Sequence, residues 1–389
     1  MRIASIDILR ALTMVLMIWV NDFWTLTEVS KWLQHATASE DYLGFSDVIF
    51  PLFLFIVGLS MPYAIQYRIS KNESRFTIGK HIIIRSVALL FSGYFMVNYE
   101  THHATLGLGK SWWCFLMAAA TTLVWMNWKK SPVPKKWHLP LQVIGLLIFL
   151  YLAIVYKGGD SSENWMSPQW WGILGLIGWA YLANALAYLF TKGNLYAMLV
   201  LWIVFNILSV MAISTDILQF DGFIRYFSPL YSGTIPAFTV AGVVTTLLFQ
   251  KLAKAGIKMQ YLVLTLLGVV CLVYGYGTRH IWGISKIQGT PSWLAVCSGI
   301  GFLSFVVLHY IADVNKITKW ADFIKPAGTA TLTCYMIPYF IYPLRNLSYI
   351  RLPEVLNSGI VGLLISFCFA LLVVFFTGWL ERKGYKLKL

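Results

Sequence analysis

Charge is scarce in this sequence. Only 12% of its 389 residues are Asp, Glu, Lys or Arg, while 58% are hydrophobic and 17 are Trp. A soluble domain carries nearer a quarter of its residues as charges, so a soluble globular chain is excluded. Acidic residues are scarcer still, 16 against 30 basic ones, which leaves a formal net charge of +14. Cysteine is rare as well. The five, Cys114, Cys271, Cys297, Cys334 and Cys368, all fall in apolar runs and read as small buried hydrophobes, with no metal or disulfide role. Also absent are a glycine-rich phosphate loop, a G-x-S-x-G nucleophile motif and an H-x4-D acyltransferase motif.

Long apolar runs are what the chain has in quantity. Runs of about 17 to 22 residues recur from end to end, each long enough to cross a hydrocarbon core of roughly 30 Å. They predict twelve spans, at 8–24, 47–67, 81–98, 112–128, 139–156, 169–190, 195–213, 231–250, 260–279, 293–313, 327–344 and 359–380. The expected fold is an all-α, polytopic transmembrane bundle forming one domain over 1–389, since no connection is long enough for a separate soluble domain. The first run lacks a small-residue cleavage site and starts with Asp7 and Arg10, so it reads as a retained helix and not a signal peptide.

The basic residues are distributed by side. With the N-terminus in the cytoplasm, the inner connections hold 20 of the 30 Lys and Arg, among them Arg2. The outer ones hold Lys31, Lys110, Lys157, Arg225, Arg279, Lys286, Arg345 and Arg351, and Arg10 and Arg85 lie in spans. This asymmetry predicts both termini in the cytoplasm. It makes anionic membrane lipid the partner of the positive charge, and no motif calls for nucleic acid. The outer connections "KGGDSSENWMSPQW", "STDILQFDGFIRYFSP" and "RHIWGISKIQGTPSW", with the 25–46 loop, supply polar and aromatic material for a pocket on the outer face. No repeat relates the two halves, which weakens a transporter built on inverted repeats.

Ionisable groups inside spans are costly, so each is a candidate for function. "SIDILRALTM" sets Asp7 and Arg10 at i and i+3, either as an intrahelical pair and topology anchor or as part of a cytoplasmic ligand mouth. Arg85, one turn into the expected third span, either snorkels to the interface or meets a ligand phosphate. At the other end of the first span, "VND" places Asn21 and Asp22 where a helix ends. His35 is the only histidine of the following loop, a pattern equally met by a structural or exposed imidazole. "FSDVIFP" offers Ser46 or Asp47 as a helix N-cap. "ETHHAT" joins His102 and His103 to Glu100, but adjacent loop histidines without further ligands do not make a metal site, and no metal is expected.

Taken together, "RIASIDILRALTMVLMIWVND" and "HATASEDYLGFSDVIFPLFLFIVGLS" resemble the catalytic region of the transmembrane heparan-alpha-glucosaminide N-acetyltransferase family. That family's pattern is R-x-x-S-[IV]-D-x-[LF]-R-G, then V-N, then H-A-x-W-x-G-x-x-x-A-D-x-V-F-P-x-F-x-F-x-x-G. Weaker echoes follow: Arg85 in register after the F-P pair, "GTIPAFTVAGVV", Lys286 before a helix start rich in Trp and Ser, and "KPAGTATLTCYMI". Departures are Ala11 for the family glycine, "TASEDYLG" after the histidine, "GKSWWCFLMAAATT" in place of R-I-P-G-V-L-Q-R, and an extra helical pair at 169–213.

The resemblance implies an enzyme that moves the acetyl group of cytosolic acetyl-CoA to an amino sugar, the terminal glucosamine of heparan-type saccharides, across the membrane. It implies His35 as the catalytic histidine and Asn21 as its partner. Acetyl-CoA would be held by Arg85, Asp7, Arg10 and Lys286. Neutral His35 would take the acceptor's proton or the acetyl group itself, Asn21 would donate to the oxyanion, and Asp22 or Asp47 would orient the imidazole. A glycosaminoglycan fragment is a fitting acceptor, a homodimer a compatible assembly, and a bacterial inner membrane with the acceptor site facing the periplasm the expected location. An O-acetyltransferase of an envelope glycan, or a transporter or flippase, is the alternative reading.

Overall fold

The computed structural model describes residues 3–103, 107–159, 164–349 and 352–388; Arg2 and Arg351 lie outside them. Among the described residues the regular structure is helical, with isolated bridges and no β-strand. The principal helices are α1 (Ala4–Asn21), α2 (Ser46–Ser70), α3 (Arg75–Thr101), α4 (Lys110–Trp125), α5 (His138–Ile154), α6 (Gly172–Phe190), α7 (Leu195–Ser214), α8 (Thr234–Lys251), α9 (Ile257–Gly277), α10 (Pro291–His309), α11 (Lys325–Thr329), α12 (Thr331–Met336), α13 (Pro338–Leu347) and α14 (Gly359–Arg382).

Among the described residues ten helical segments are long and apolar enough to cross a membrane, where sequence predicted twelve. Two expected spans differ. The run at 112–128 is the 16-residue α4, about 24 Å long at 1.5 Å per residue and shorter than the roughly 30 Å core. The run at 327–344 is broken into α11, α12 and α13. Ala330 leaves helical backbone there, with φ −122° and ψ 45°, and Pro338 lacks the N–H that would continue the ladder. Apolar composition marked both runs, but composition does not register a break in the hydrogen-bond ladder.

The chain divides into two compact units, the first formed by residues 1–13, 30–88 and 176–320 and the second by 14–29, 89–175 and 321–389. In the first, α2 lies against α8 so closely that backbone meets backbone. A Cβ on Gly58 would stand 1.8 Å from the Thr239 carbonyl oxygen, and one on Gly242 would stand 2.0 Å from that of Phe55. Thr239 and Thr246 donate their hydroxyls to the Leu54 and Leu59 carbonyls at 3.1 and 2.8 Å. Small residues and interhelical hydrogen bonds are how helices associate where lipid competes for apolar contact. Around this crossing Phe55, Ile56, Leu59, Leu264, Phe302 and Phe305 form a buried cluster.

In the second unit, α4 and α5 pair through Trp113, whose indole Nε1 donates to the Leu152 carbonyl at 3.2 Å, and α3 meets α5 through Phe95 and Phe149, whose ring centroids are 4.6 Å apart. Asn98 clamps the 164–171 connection, donating to the Ser167 carbonyl at 2.8 Å and accepting from its N–H at 3.0 Å. His102 is buried between the rings of Trp113 and Tyr156 and accepts from the Lys157 N–H. Cys114, Cys297 and Cys334 are buried as expected, but Cys368 is exposed on α14.

The α2–α8 crossing is directly testable. Gly58→Val should destabilise the detergent-solubilised protein by about 3 kcal/mol, the scale of a severe overpacking change. Gly277→Ala, which meets nothing within 4 Å, should change stability by less than about 0.5 kcal/mol. Thermal unfolding of both variants is the measurement; equal melting of the two would show that the contact carries no load.

Candidate active site

The loop before α2 is folded back on itself by its own backbone. The Phe45 N–H donates to the Trp32 carbonyl at 2.7 Å and the Ser46 N–H to that of Leu33 at 3.2 Å, while the Ser46 hydroxyl donates to the same Leu33 oxygen. This brings residues 34–36 over the first turn of α2, where Asp47 is 1% exposed. Its Oδ2 accepts the Ala36 N–H at 3.0 Å and the Gly44 N–H at 3.2 Å. Its Oδ1 lies 2.7 Å from His35 Nδ1. Neither Ser46 nor Asp47 caps the helix as expected; the N-cap residue is Phe45, with no side-chain capping bond.

The loop between α9 and α10 is stitched to the same segment. Arg279 donates through Nε to both carboxylate oxygens of Asp41, at 3.0 and 2.8 Å, and through Nη2 to the Asp41 carbonyl at 2.7 Å. The Ile284 N–H donates to Asp41 Oδ1, the Tyr42 N–H to the Ile284 carbonyl, and Gln288 Nε2 to the Ala38 carbonyl. Those bonds seat Lys286, expected on the cofactor, with Nζ 3.1 Å from His35 Nδ1 and 3.9 Å from Asp47 Oδ1. Burial pushes the Lys286 amine below its usual range, and the Asp47 carboxylate pulls the other way. On the loop's outer edge, the hydrogen bond from Lys31 pushes Glu40 down to about 2.

His35 is thus held by a carboxylate at one nitrogen while its side chain is 42% exposed. Among the described residues Nε2 has no protein partner. An imidazole oriented through Nδ1 and open at Nε2 can take a proton or an acyl group from a substrate.

The other residues singled out in sequence are placed as follows. Asn21 ends α1 in the second unit, half-buried, and its side-chain amide makes no hydrogen bond among the described residues. Asp22, beside it, is 6% exposed and accepts from the Tyr342 hydroxyl at 2.7 Å. Its carboxylate is engaged within its own unit, and the carboxylate on the imidazole is Asp47. Asp7 and Arg10 pair at 3.3 Å, and Arg10 also donates to the Ser60 hydroxyl. Arg85 lies ten residues beyond the start of α3, nearly three turns and not one, with its guanidinium 4.8 Å over the Tyr181 ring. Sequence reasoning passed over Gly44, the Ala36 N–H, Trp293, whose Nε1 donates to the Asp47 carbonyl at 3.1 Å, and the Asp41–Arg279 clamp. A glycine three residues before the aspartate was the one visible signal.

A solvent-facing histidine held by a buried carboxylate, in a chain of membrane-length helices, is an arrangement suited to group transfer. The family comparison makes the class specific. The chain belongs to the family of the heparan-alpha-glucosaminide N-acetyltransferase catalytic domain, which matches residues 2–273. Members are membrane N-acetyltransferases that use acetyl-CoA as donor and an amine as acceptor, and this chain is accordingly a membrane acetyltransferase. The matched stretch contains Asn21, His35, Asp47 and Arg85 and ends before Lys286. No curated protein matches the chain.

Gly44 offers a test of this geometry. A Cβ there would stand 1.8 Å from the Gln34 carbonyl oxygen, so Gly44→Ala must displace the loop that carries His35 and disturb the backbone N–H bond of residue 44 to Asp47. Turnover with acetyl-CoA should fall roughly a hundredfold, the cost of a displacement near 1 Å at a reacting centre, while helix content by circular dichroism stays unchanged. Normal turnover would mean that the loop's position does not matter to the chemistry.

Proposed function

We propose that the protein transfers the acetyl group of cytosolic acetyl-CoA to the amine of an amino sugar on the outer face of the membrane, with His35 as general base or transient acetyl carrier. The observation that carries this reading is the pairing of His35 Nδ1 with the buried Asp47 carboxylate at 2.7 Å, which leaves Nε2 open. In direct transfer, the acceptor nitrogen attacks the thioester carbon while Nε2 takes its proton. The C–S bond then breaks, and the proton passes to the departing thiolate. By the family resemblance Asn21 takes the role of donor to the oxyanion, an interaction worth roughly 3 kcal/mol in comparable sites.

The thioester exists on one side of the membrane and the acceptor on the other. CoA's phosphates do not enter hydrocarbon without neutralisation. We assign them to a basic cytoplasmic side, with both termini cytoplasmic, as the twelve-span reading of the sequence has it. Arg85 is the leading phosphate ligand: it is exposed and pairs with a ring rather than a carboxylate. Asp7 and Arg10 shape the mouth beside it in this reading. The heparan-type glucosamine is the acceptor by family membership, and the sequence departs from the family pattern at "TASEDYLG" and "GKSWWCFLMAAATT".

The test uses sealed inverted vesicles, with acetyl-CoA outside and amino sugars, heparan-type disaccharides or neutral glycans trapped inside. Acetylation of an amine is expected. Transfer to a hydroxyl alone would replace the acceptor class, and no transfer to any acceptor would overturn the reading. His35→Ala should bind acetyl-CoA yet turn over at least about a hundredfold more slowly, and Asn21→Ala should lose a similar amount. Separately, Arg85→Ala should raise the KM for acetyl-CoA more than that for the sugar. Unchanged KM values would remove Arg85 from the cofactor site.

A further inference from the structure

We propose that Lys286 is a positioning residue that keeps His35 unprotonated, and hence reactive, beside a carboxylate that would otherwise hold it as an imidazolium. The proposal rests on the reading of His35 as the reacting imidazole.

One atom, His35 Nδ1, has two partners of opposite demand. Asp47 Oδ1, at 2.7 Å, only accepts; an ammonium at Lys286 Nζ, 3.1 Å away, only donates. A neutral imidazole presents either an N–H or a lone pair at Nδ1, so it cannot satisfy both. Asp47 is the fixed member: its Oδ2 is taken by the Ala36 and Gly44 N–H groups, which leaves Oδ1 for the imidazole. A carboxylate so placed favours the doubly protonated ring. An imidazolium has no lone pair at Nε2 and is neither base nor nucleophile.

The positive charge of Lys286 offsets this pull. With Nζ 3.9 Å from Asp47 Oδ1, ammonium and carboxylate sum to zero beside the ring. A second positive charge on the imidazole would then face the ammonium at 3.1 Å. The neutral ring keeps Nδ1–H on Asp47 and its lone pair at Nε2. The same repulsion serves the second half of the reaction: once Nε2 has taken the amine's proton, the imidazolium is destabilised and yields that proton readily to the thiolate of CoA. No group other than the acceptor, the thiolate and His35 gains or loses a proton over the cycle.

Among the described residues the neighbouring acids of the His35 loop are engaged elsewhere. Glu40 is held by Lys31 and Asp41 by Arg279. From α10 the titratable group against Asp47 is the Cys297 thiol, whose Sγ is 4.0 Å from the Asp47 carbonyl oxygen.

The experiment compares the wild-type protein with Lys286→Met and Lys286→Arg. In Lys286→Met the acidic limb of the kcat profile should move to higher pH by about one unit or more. Lys286→Arg, which keeps the charge, should restore the wild-type limb. Independently of turnover, nitrogen-15 NMR of histidine-labelled protein, with the His35 signals assigned by their loss in His35→Gln, should show two unlike ring nitrogens at pH 7 in the wild type. In Lys286→Met they should converge toward an imidazolium pair. If Lys286→Met does not fold, Lys286→Gln replaces it in both measurements. An unmoved limb with unchanged ring nitrogens overturns the proposal. A shift of the ring nitrogens in a protein that acetylates no acceptor supports it while removing the acetyltransferase reading of the site.

Discussion

A carboxylate withdrawn from water must find its hydrogen bonds in the protein, or folding leaves it uncompensated at a cost of several kcal/mol. Asp47, 1% exposed, is in that position, and much of the first unit's loop structure meets its demand. The chain doubles back at 33–46 so that two backbone N–H groups reach Oδ2. α10 begins with Trp293 aimed at the carbonyl of the same residue. Once Oδ2 is satisfied, Oδ1 has one direction left, and His35 occupies it. The orientation of the imidazole follows from the solvation of its neighbour.

How far sequence anticipated this depends on what kind of information each feature needs. Ten helices could be read from apolar length, because a hydrocarbon core demands a fixed number of residues whatever the packing. The break at Ala330 and Pro338 could not be read that way: a proline in a membrane run is compatible with a kinked helix as well as an interrupted one. Arg85 was visible as a cation in a span, but its depth depends on where α3 begins, and Arg75 through Lys80 read as connection rather than helix. Cys368 was placed among buried thiols because helical periodicity alone does not say which face meets lipid.

At the site, residue types were legible and partnerships were not. Asp22 and Asp47 were equal candidates to hold the imidazole, since both are acidic and both adjoin a helix end. Their partners separate them: Asp22 is satisfied by Tyr342, 320 positions away, a contact that no local pattern encodes. Lys286 is 251 positions from His35 and lies outside the stretch matched by the family, so only the Asp41–Arg279 stitching reveals it as a neighbour. In "FSDVIFP" the aspartate looked like a cap because caps are the commonest use of that residue at that position. Its burial overrides the local rule.

The contact between α2 and α8 bears on how this protein can vary. Where side chains mediate a helix crossing, each substitution resets the separation a little. Here the separation is fixed by main chain on main chain at Gly58 and Gly242. Residues elsewhere along the two helices can therefore drift among apolar types without altering the spacing, provided the two glycines persist. Asp47 sits one residue into α2, so the imidazole it holds inherits a reference point set at two positions with no side chain at all.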